Sequence, residues 1–266
     1  SKLLRAPRRS GGHEPVLLRI ISGIVMALSC LFAWLPLPFG LWNPKDHVAS
    51  ELATAGLPYA VGTGATSLQP LVSCRRWPPP VMDSGLLLCS SHRAEDSGFI
   101  AYSQGGSAED FVSKGILWAR FGSVVAITTH MTAERAAVHT DPQRARLGEV
   151  VAWLLTLRGV EHVLVAGDLN HWQDSPPPPG APHVSAVIQA IEQAGSTTPL
   201  EAVRVSSDDG TNYDNFTGAP QCIDHVICVR RRREKAPPIR ALDTGVVDDF
   251  SRHVADHNLL HVTMAL

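Results

Sequence analysis

The sequence predicts an α/β fold of the sandwich type, in which mixed strands and helices share one core. Three observations predict it. Short apolar runs rich in β-branched residues alternate with amphipathic stretches of helical period. Several runs are joined by tight turns, a mark of antiparallel hairpins rather than of an all-parallel, doubly wound sheet. No GxGxxG, GxxxxGK[ST] or HExxH pattern occurs, so nothing in the sequence supports a dinucleotide fold, a P-loop or a zincin helix. The 266 residues, 44% hydrophobic and 18% charged, suit one large domain, or a domain with an appendage, and carry enough apolar surface for a buried core.

Residues 46–57 read as a helix, with Val48, Leu52 and Leu57 among alanines and a stop at Gly56 and Pro58. Tyr59–Val61 is a short strand. Residues 62–82 are rich in Gly, Ser and Pro, including Pro78–Pro80, and read as a loop. Gly85–Ser90 and Phe99–Tyr102 follow as strands. Gly115–Phe121 and Val124–Thr129 flank a Gly122-Ser123 turn and form a hairpin. In Gln143–Leu157, residues Leu147, Val150, Val151, Leu154 and Leu155 recur at helical spacing. His162–Ala166 is a buried strand running into Gly167. Pro176–Pro179 make a stiff exposed linker. Val184–Ala194 is a further helix, and strands lie around Glu201–Val205, Cys222–Val229, Ile239–Leu242 and Leu259–Met264. There is no internal repeat.

The net charge of −2 speaks against a nonspecific duplex binder, which needs a strong basic excess. Five cysteines stand at 30, 74, 89, 222 and 228 with no CxxC pair, so a structural zinc site is not expected, and Cys89 and Cys228 read as core residues. At the N-terminus, Lys2, Arg5, Arg8, Arg9 and Arg19 precede an uncharged run from Ile20 to Trp42. That layout suits a signal or anchor segment, and Pro36 and Pro38 limit any helix to roughly Val16–Leu35. A buried apolar segment, or sequence foreign to the domain, is the alternative. Residues 1–44 are therefore set apart from a domain spanning 45–266, with a membrane-associated or secreted location expected and a cytoplasmic one still open.

Four polar clusters sit at strand ends: His130 in TTHM, Gly167-Asp168-Leu169-Asn170 after VLVA, Asp224-His225 in QCIDHVICV, and Ala255-Asp256-His257 before the last strand. Singly each is ordinary, since an Asp after a strand is often a turn or cap. Asp224 stands out because a carboxylate within an apolar strand needs a partner or a metal.

Taken together and in this order, the four clusters resemble the endonuclease/exonuclease/phosphatase (deoxyribonuclease I-like) superfamily over roughly residues 45–266. Residues 83–121 are most similar to the neutral sphingomyelinase branch, through Ser84-Gly85-Leu86, Phe99, Tyr102, Glu109 or Asp110, and Lys114-Gly115. The resemblance implies a four-layered α/β sandwich of two packed mixed sheets with helices outside. It implies a Mg²⁺-dependent phosphodiester hydrolase, with Asp256 at the metal and His257 as general base oriented by Asp224. His130, Asp168 and Asn170 would hold the phosphate from the opposite side. Lys114, Glu109 and Asn212 become substrate-contact candidates, with Asp110 an alternative to Glu109. His225, adjacent to Asp224 on a strand, points to the other face and reads as structural.

The superfamily normally opens with two strands that end in Asn and in Gln-Glu, the Glu being the central metal ligand. Gly40 or Leu41 stands at the Glu position here, so the fold is expected to be incomplete at its N-terminus. A truncated or mis-assembled chain, a pseudoenzyme, and rescue by Asp46 or Glu51 all remain open. Leu17–Leu35 is expected to be mainly helical or loosely placed. The expected function is a sphingomyelin phosphodiesterase acting on phospholipid at a membrane surface. A nuclease of the same fold and a catalytically impaired binding module are the alternatives, and no protein partner is inferable. The basic run Arg230–Arg233 with Lys235 reads first as a solvated turn and second as a dock for anionic lipid.

Overall fold

The structure is a computed structural model that describes residues 44–62, 85–102, 114–133, 136–173, 182–196, 198–208, 212–213, 220–233, 237–247 and 259–265. The expected loop at 62–82 (beyond Gly62), the linker Pro176–Pro179, the segment Leu17–Leu35, and Glu109, Asp110, Asp256 and His257 lie outside these residues. The described elements belong to the unit Lys45–Leu266, apart from Pro44, which opens the first helix.

In chain order the helix α1 (Pro44–Thr54) leads to β1 (Tyr59–Gly62) and β2 (Leu87–Ser90), which pair antiparallel. Next come β3 (Asp96–Ala101), β4 (Gly115–Phe121) and β5 (Val124–Thr129), then α2 (Ala137–Thr156) and β6 (His162–Asp168). The helix α3 (Val184–Ala194) precedes β7 (Leu200–Arg204), the short β8 (Asn212–Tyr213) and β9 (Pro220–Gln221), and β10 (Asp224–Arg231). The last strands, β11 (Ala241–Val247) and β12 (Leu259–Met264), form an antiparallel ribbon.

The architecture is an α/β sandwich built on a six-stranded mixed sheet of order β3-β4-β5-β6-β10-β7. The β4–β5 hairpin turns at Gly122-Ser123, as expected. Strands β5 and β6 run parallel, which requires a crossover, and α2 supplies it. Strand alternation sorts the side chains into two faces. Ile116, Trp118, Ile127, Val165, Ile227 and Val229 share one face and pack with Leu147, Val151 and Leu154 of α2 and Val187 and Ile191 of α3. Trp118 meets Trp153 of α2 edge to face at 5.7 Å. The two helices touch closely at Gly148, where a Cβ would lie 2.6 Å from the Ala190 carbonyl oxygen.

Leu117 and Ala119 point to the opposite face and are also buried. Strand β2 approaches β4 without bonding to it. With β3 and β5 on both edges of β4, β2 must lie over a face, and the helices occupy the other one.

Several elements differ in their bounds from the sequence expectation, β3 among them, which starts at Asp96 rather than Phe99, and the short β8 and β9 were not expected. Helix α2 starts at Ala137 rather than Gln143 and continues across Pro142. Proline forfeits one main-chain bond there, but the early turns are held by the fold: Thr140 and Gln143 are buried, and Gln143 Oε1 accepts from the Thr132 N–H at 2.8 Å. Strand β6 extends two residues further, through Gly167 and Asp168, because its pairing with β10 continues to Asp224. Strand β11 runs on to Val247 because β12 pairs with it that far. Among the described residues no helix is long and apolar enough to cross a membrane. Cys228 is buried as expected, whereas Cys89 is only partly so.

Candidate active site

The same alternation that fills the core places polar groups together at one end of the sheet. On β6, Val163 and Val165 face the helices, so Asp168 faces away from them. On β10, Ile227 and Val229 face the helices, so Asp224 faces away as well. Thr129 of β5 faces the helices, where its hydroxyl is 2.8 Å from the Tyr102 hydroxyl and donates to the Gly115 carbonyl at 2.8 Å. His130, the next residue, therefore lies on the side of Asp168. Three neighbouring strands thus deliver His130, Asp168 and Asp224 to one edge of one face.

Asp224 and Asp168 are direct cross-strand partners. Opposed residues on antiparallel strands have Cβ atoms about 5 Å apart, and like charges in that relation are destabilising. Two carboxylates in this position are an arrangement that a structural sheet avoids and a phosphoryl- or cation-handling site uses.

Asp168 is largely sheltered and held on several sides. Its Oδ1 accepts the Asn170 N–H at 2.8 Å, and its Oδ2 accepts from Asn170 Nδ2 at 3.2 Å. His130 Nε2 stands 3.4 Å from Oδ2, with its side chain 43% exposed. Asn170 Nδ2 also donates to the Met131 carbonyl at 3.0 Å. Both amide hydrogens of Asn170 are therefore engaged within the protein, and the residue orients Asp168. It does so from a left-handed backbone, φ 50°, a region that asparagine tolerates better than most residues. Lys114, at the start of β4, is buried and donates to the same Met131 carbonyl at 2.9 Å.

Gly167 makes this geometry possible. Its φ is 138°, and a Cβ there would lie 2.1 Å from the Thr129 carbonyl oxygen. The end of β5 can press against β6 only because residue 167 has no side chain, and that contact brings His130 beside Asp168. The main chain continues the association through Met131 N–H, which donates to the Asp168 carbonyl at 3.0 Å.

Behind the site lies a group that the sequence did not single out. His171 is fully buried, with Nδ1 on the Leu169 carbonyl and Nε2 3.0 Å from Arg144 Nη1. His225, on the helix side of β10, is also fully buried, and its Nε2 lies 2.6 Å from the His171 carbonyl oxygen. Burial pushes both imidazoles down to about 4. A histidine after GDLN carries no spacing signal of its own, so the sequence does not mark His171.

Of the sequence candidates, His130, Asp168, Asn170 and Asp224 come together, and Lys114 joins them through the Met131 carbonyl. Asn212 opens β8, whose main chain pairs with Gln221 just before Asp224. Glu109, Asp256 and His257 lie outside the described residues, so the Asp224–His257 pair does too. Glu51 is exposed on α1. Among the described residues no three His, Cys, Asp or Glu side chains gather as a cation site. Magnesium needs only one or two protein carboxylates, and Asp168 and Asp224 are hard oxygen donors of that kind, facing each other across β6 and β10. The basic run sits at the other end of β10, six residues from Asp224 to Arg230 or about 20 Å along the strand. There Arg230 binds Glu201 at 2.8 Å, Arg231 the Leu155 carbonyl, and Arg232 Glu192 at 3.4 Å.

No family model and no curated protein sequence matches the chain. Solved structures do. The beta toxin of Staphylococcus aureus matches with a TM-score of 0.52 at 14% identity, over 83% of this chain and 82% of the toxin. A variant of that toxin with bound magnesium ions matches at 0.49 and 12%, over 83% of each chain. Sphingomyelinase C from Streptomyces griseocarneus gives 0.48 at 14% identity, over 84% of this chain and 80% of that one. A 3′-5′ exonuclease from Neisseria meningitidis gives 0.48 at 15%, over 68% and 75%. At these identities the likeness concerns the fold, and the first match establishes it.

Proposed function

We propose that this chain, whose fold is that of the endonuclease/exonuclease/phosphatase superfamily, is a Mg²⁺-dependent phosphodiester hydrolase of sphingomyelinase type. The observation that carries the reading is the convergence of His130, Asp168 and Asp224 from three adjacent strands, with Asp224 directly opposite Asp168. A half-exposed imidazole oriented by a sheltered carboxylate can hold or pass a proton at a bound oxyanion. Asn170 fixes that carboxylate, and the Lys114–Met131 bond fixes Asn170 in turn.

The magnesium requirement rests on the sequence resemblance and on Asp256. A bound Mg²⁺ would supply charge neutralisation at the phosphoryl and leaving oxygens. The choice of a phospholipid over nucleic acid rests on the similarity of residues 83–121 to the neutral sphingomyelinase branch and on the net charge of −2. Secretion, or attachment to a membrane through residues 1–44, accords with such a substrate.

The experiment is phosphocholine release from sphingomyelin vesicles, with and without Mg²⁺, beside a plasmid-nicking assay on the same preparation. Mg²⁺-dependent release that Asp168→Asn lowers by roughly 10²–10⁴-fold supports the reading. Nicking without lipid turnover replaces it with the nuclease.

A further inference from the structure

The segment that carries Asp168 and Asn170 is fastened from behind by more groups than a turn needs. Leu169 N–H donates to the Ile223 carbonyl at 3.1 Å, and Gln173 N–H donates to the Cys222 carbonyl at 3.2 Å. His183 caps α3 by accepting the Ser185 N–H at Nδ1, which leaves its Nε2–H to donate to the Gln173 carbonyl at 3.1 Å. Arg144 of α2 reaches His171.

The partners define the tautomers. Arg144 can only donate, so His171 Nε2 accepts, and its Nδ1–H goes to the Leu169 carbonyl. The His171 carbonyl can only accept, so His225 donates Nε2–H. His225 Nδ1 is then a bare acceptor, and it is buried with no hydrogen-bond partner among the described residues. A buried acceptor left without a donor costs on the order of 1–3 kcal/mol. A phenylalanine would fill similar space without that cost, so packing alone does not account for an imidazole at 225.

We propose that His225 is a positioning residue. Its single Nε2–H bond to the His171 carbonyl holds the turn at 169–171, and so sets where Asn170 and Asp168 stand on the opposite face of the sheet. His225 and Asp224 are neighbours on β10, so one strand supplies both the carboxylate opposite Asp168 and the bond that locks the Asp168 loop. The loop and the opposing carboxylate therefore move as one body.

The test compares His225→Phe, which keeps a ring and removes the donor, with His225→Gln, whose amide nitrogen reaches about as far as imidazole Nε2. Two readouts are taken on the full chain: kcat and KM for phosphodiester hydrolysis, and amide hydrogen exchange. The kinetic readout rests on the function proposed above, whereas the exchange readout does not. His225→Phe is expected to lower kcat roughly 10–100-fold with KM little changed, the scale of a misplaced catalytic group. It should also speed exchange at 169–173 while the amides of β5 and α2 keep wild-type rates. His225→Gln should restore both. Uniform acceleration across the sheet, or a Gln variant indistinguishable from Phe, overturns the proposal. If the wild-type chain shows no turnover, the functional reading fails and exchange alone decides this one. Should His225→Phe not fold, ¹⁵N imidazole shifts of the wild-type protein decide: protonation at Nδ1 of His225 contradicts the bond, and protonation at Nε2 upholds it.

Discussion

Lys114 and Asn170 meet at one oxygen: the Met131 carbonyl accepts from Lys114 Nζ at 2.9 Å and from Asn170 Nδ2 at 3.0 Å. The lysine is buried. A buried ammonium must be matched by acceptors, and one of them is the main-chain carbonyl that also holds Asn170. Through that carbonyl it bears on the 130–132 segment and on Asn170. Lys114→Met keeps most of the volume and removes the donor. Turnover is expected to fall roughly tenfold or more, the scale of a displaced catalytic group. Unfolding free energy in urea should change by about 1 kcal/mol or less, because the Met131 carbonyl keeps Asn170 as a donor. A large loss of stability with unchanged turnover per folded molecule would separate Lys114 from the site.

Gly167 is the position where the fold tolerates no side chain. An added Cβ would stand 2.1 Å from the Thr129 carbonyl oxygen, on a backbone already at φ 138°. Gly167→Ala must either push β5 off β6 or twist β6 out of register with β10. The expected loss is more than about 3 kcal/mol, from combined backbone strain and overpacking. Chemical denaturation measures it, and a variant within about 1 kcal/mol of wild type would mean that the close approach of the two strands is not required.

The two buried histidines make stability depend on pH. In the unfolded chain each takes a proton near 6.5, but in the fold burial pushes each down to about 4. Between those values the unfolded chain holds more protons, so stability falls as pH drops from about 6.5 and levels off below about 4. The slope is at most about 1.4 kcal/mol per pH unit for each histidine. Urea titrations at pH 7 and pH 5 measure it. His225→Phe should remove about half of this component. Identical pH slopes in wild type and variant would mean that His225 is solvated in the folded state.

The boundaries of β4, β5, β12 and α3 were legible because strand and helix periods and a Gly-Ser turn are local signals, whereas the order of the strands in the sheet was not. The side of the sheet on which His225 sits was legible too, since alternation along an apolar strand puts it opposite Asp224. The start of α2 was not legible: Pro142 is a local stop signal, and the Gln143–Thr132 bond that outweighs it is made across the fold. The cross-strand pairing of Asp168 with Asp224 was equally hidden, because 55 intervening residues separate them and only the register of β6 on β10 brings them opposite each other. Met131 carries no chemical signal at all. Its role belongs to its carbonyl, which a sequence does not distinguish from any other.

If the chain acts on phospholipid as proposed, the basic run at the end of β10 decides which way it docks. Arg230 is tied to Glu201, and Arg231 to the Leu155 carbonyl. Arg232 and Arg233 are exposed, Arg232 with Glu192 at 3.4 Å. Two basic residues near an anionic surface at about 1 kcal/mol each are worth roughly 30-fold in membrane binding. These two, however, follow the far end of β10, past Arg230, which already stands about 20 Å along the strand from Asp224, at the opposite end of the sheet from His130 and Asp168. A lipid whose phosphodiester reaches Asp168 approaches the other end of the sheet, leaving these arginines in water. The double substitution Arg232→Ala with Arg233→Ala should therefore leave hydrolysis of vesicles within about twofold of wild type, whether or not anionic lipid is included, since charges beyond a Debye length from the membrane are screened. A loss approaching the 30-fold scale, confined to vesicles with anionic lipid, would place the far end of β10 against the membrane and require the chain to dock on its side.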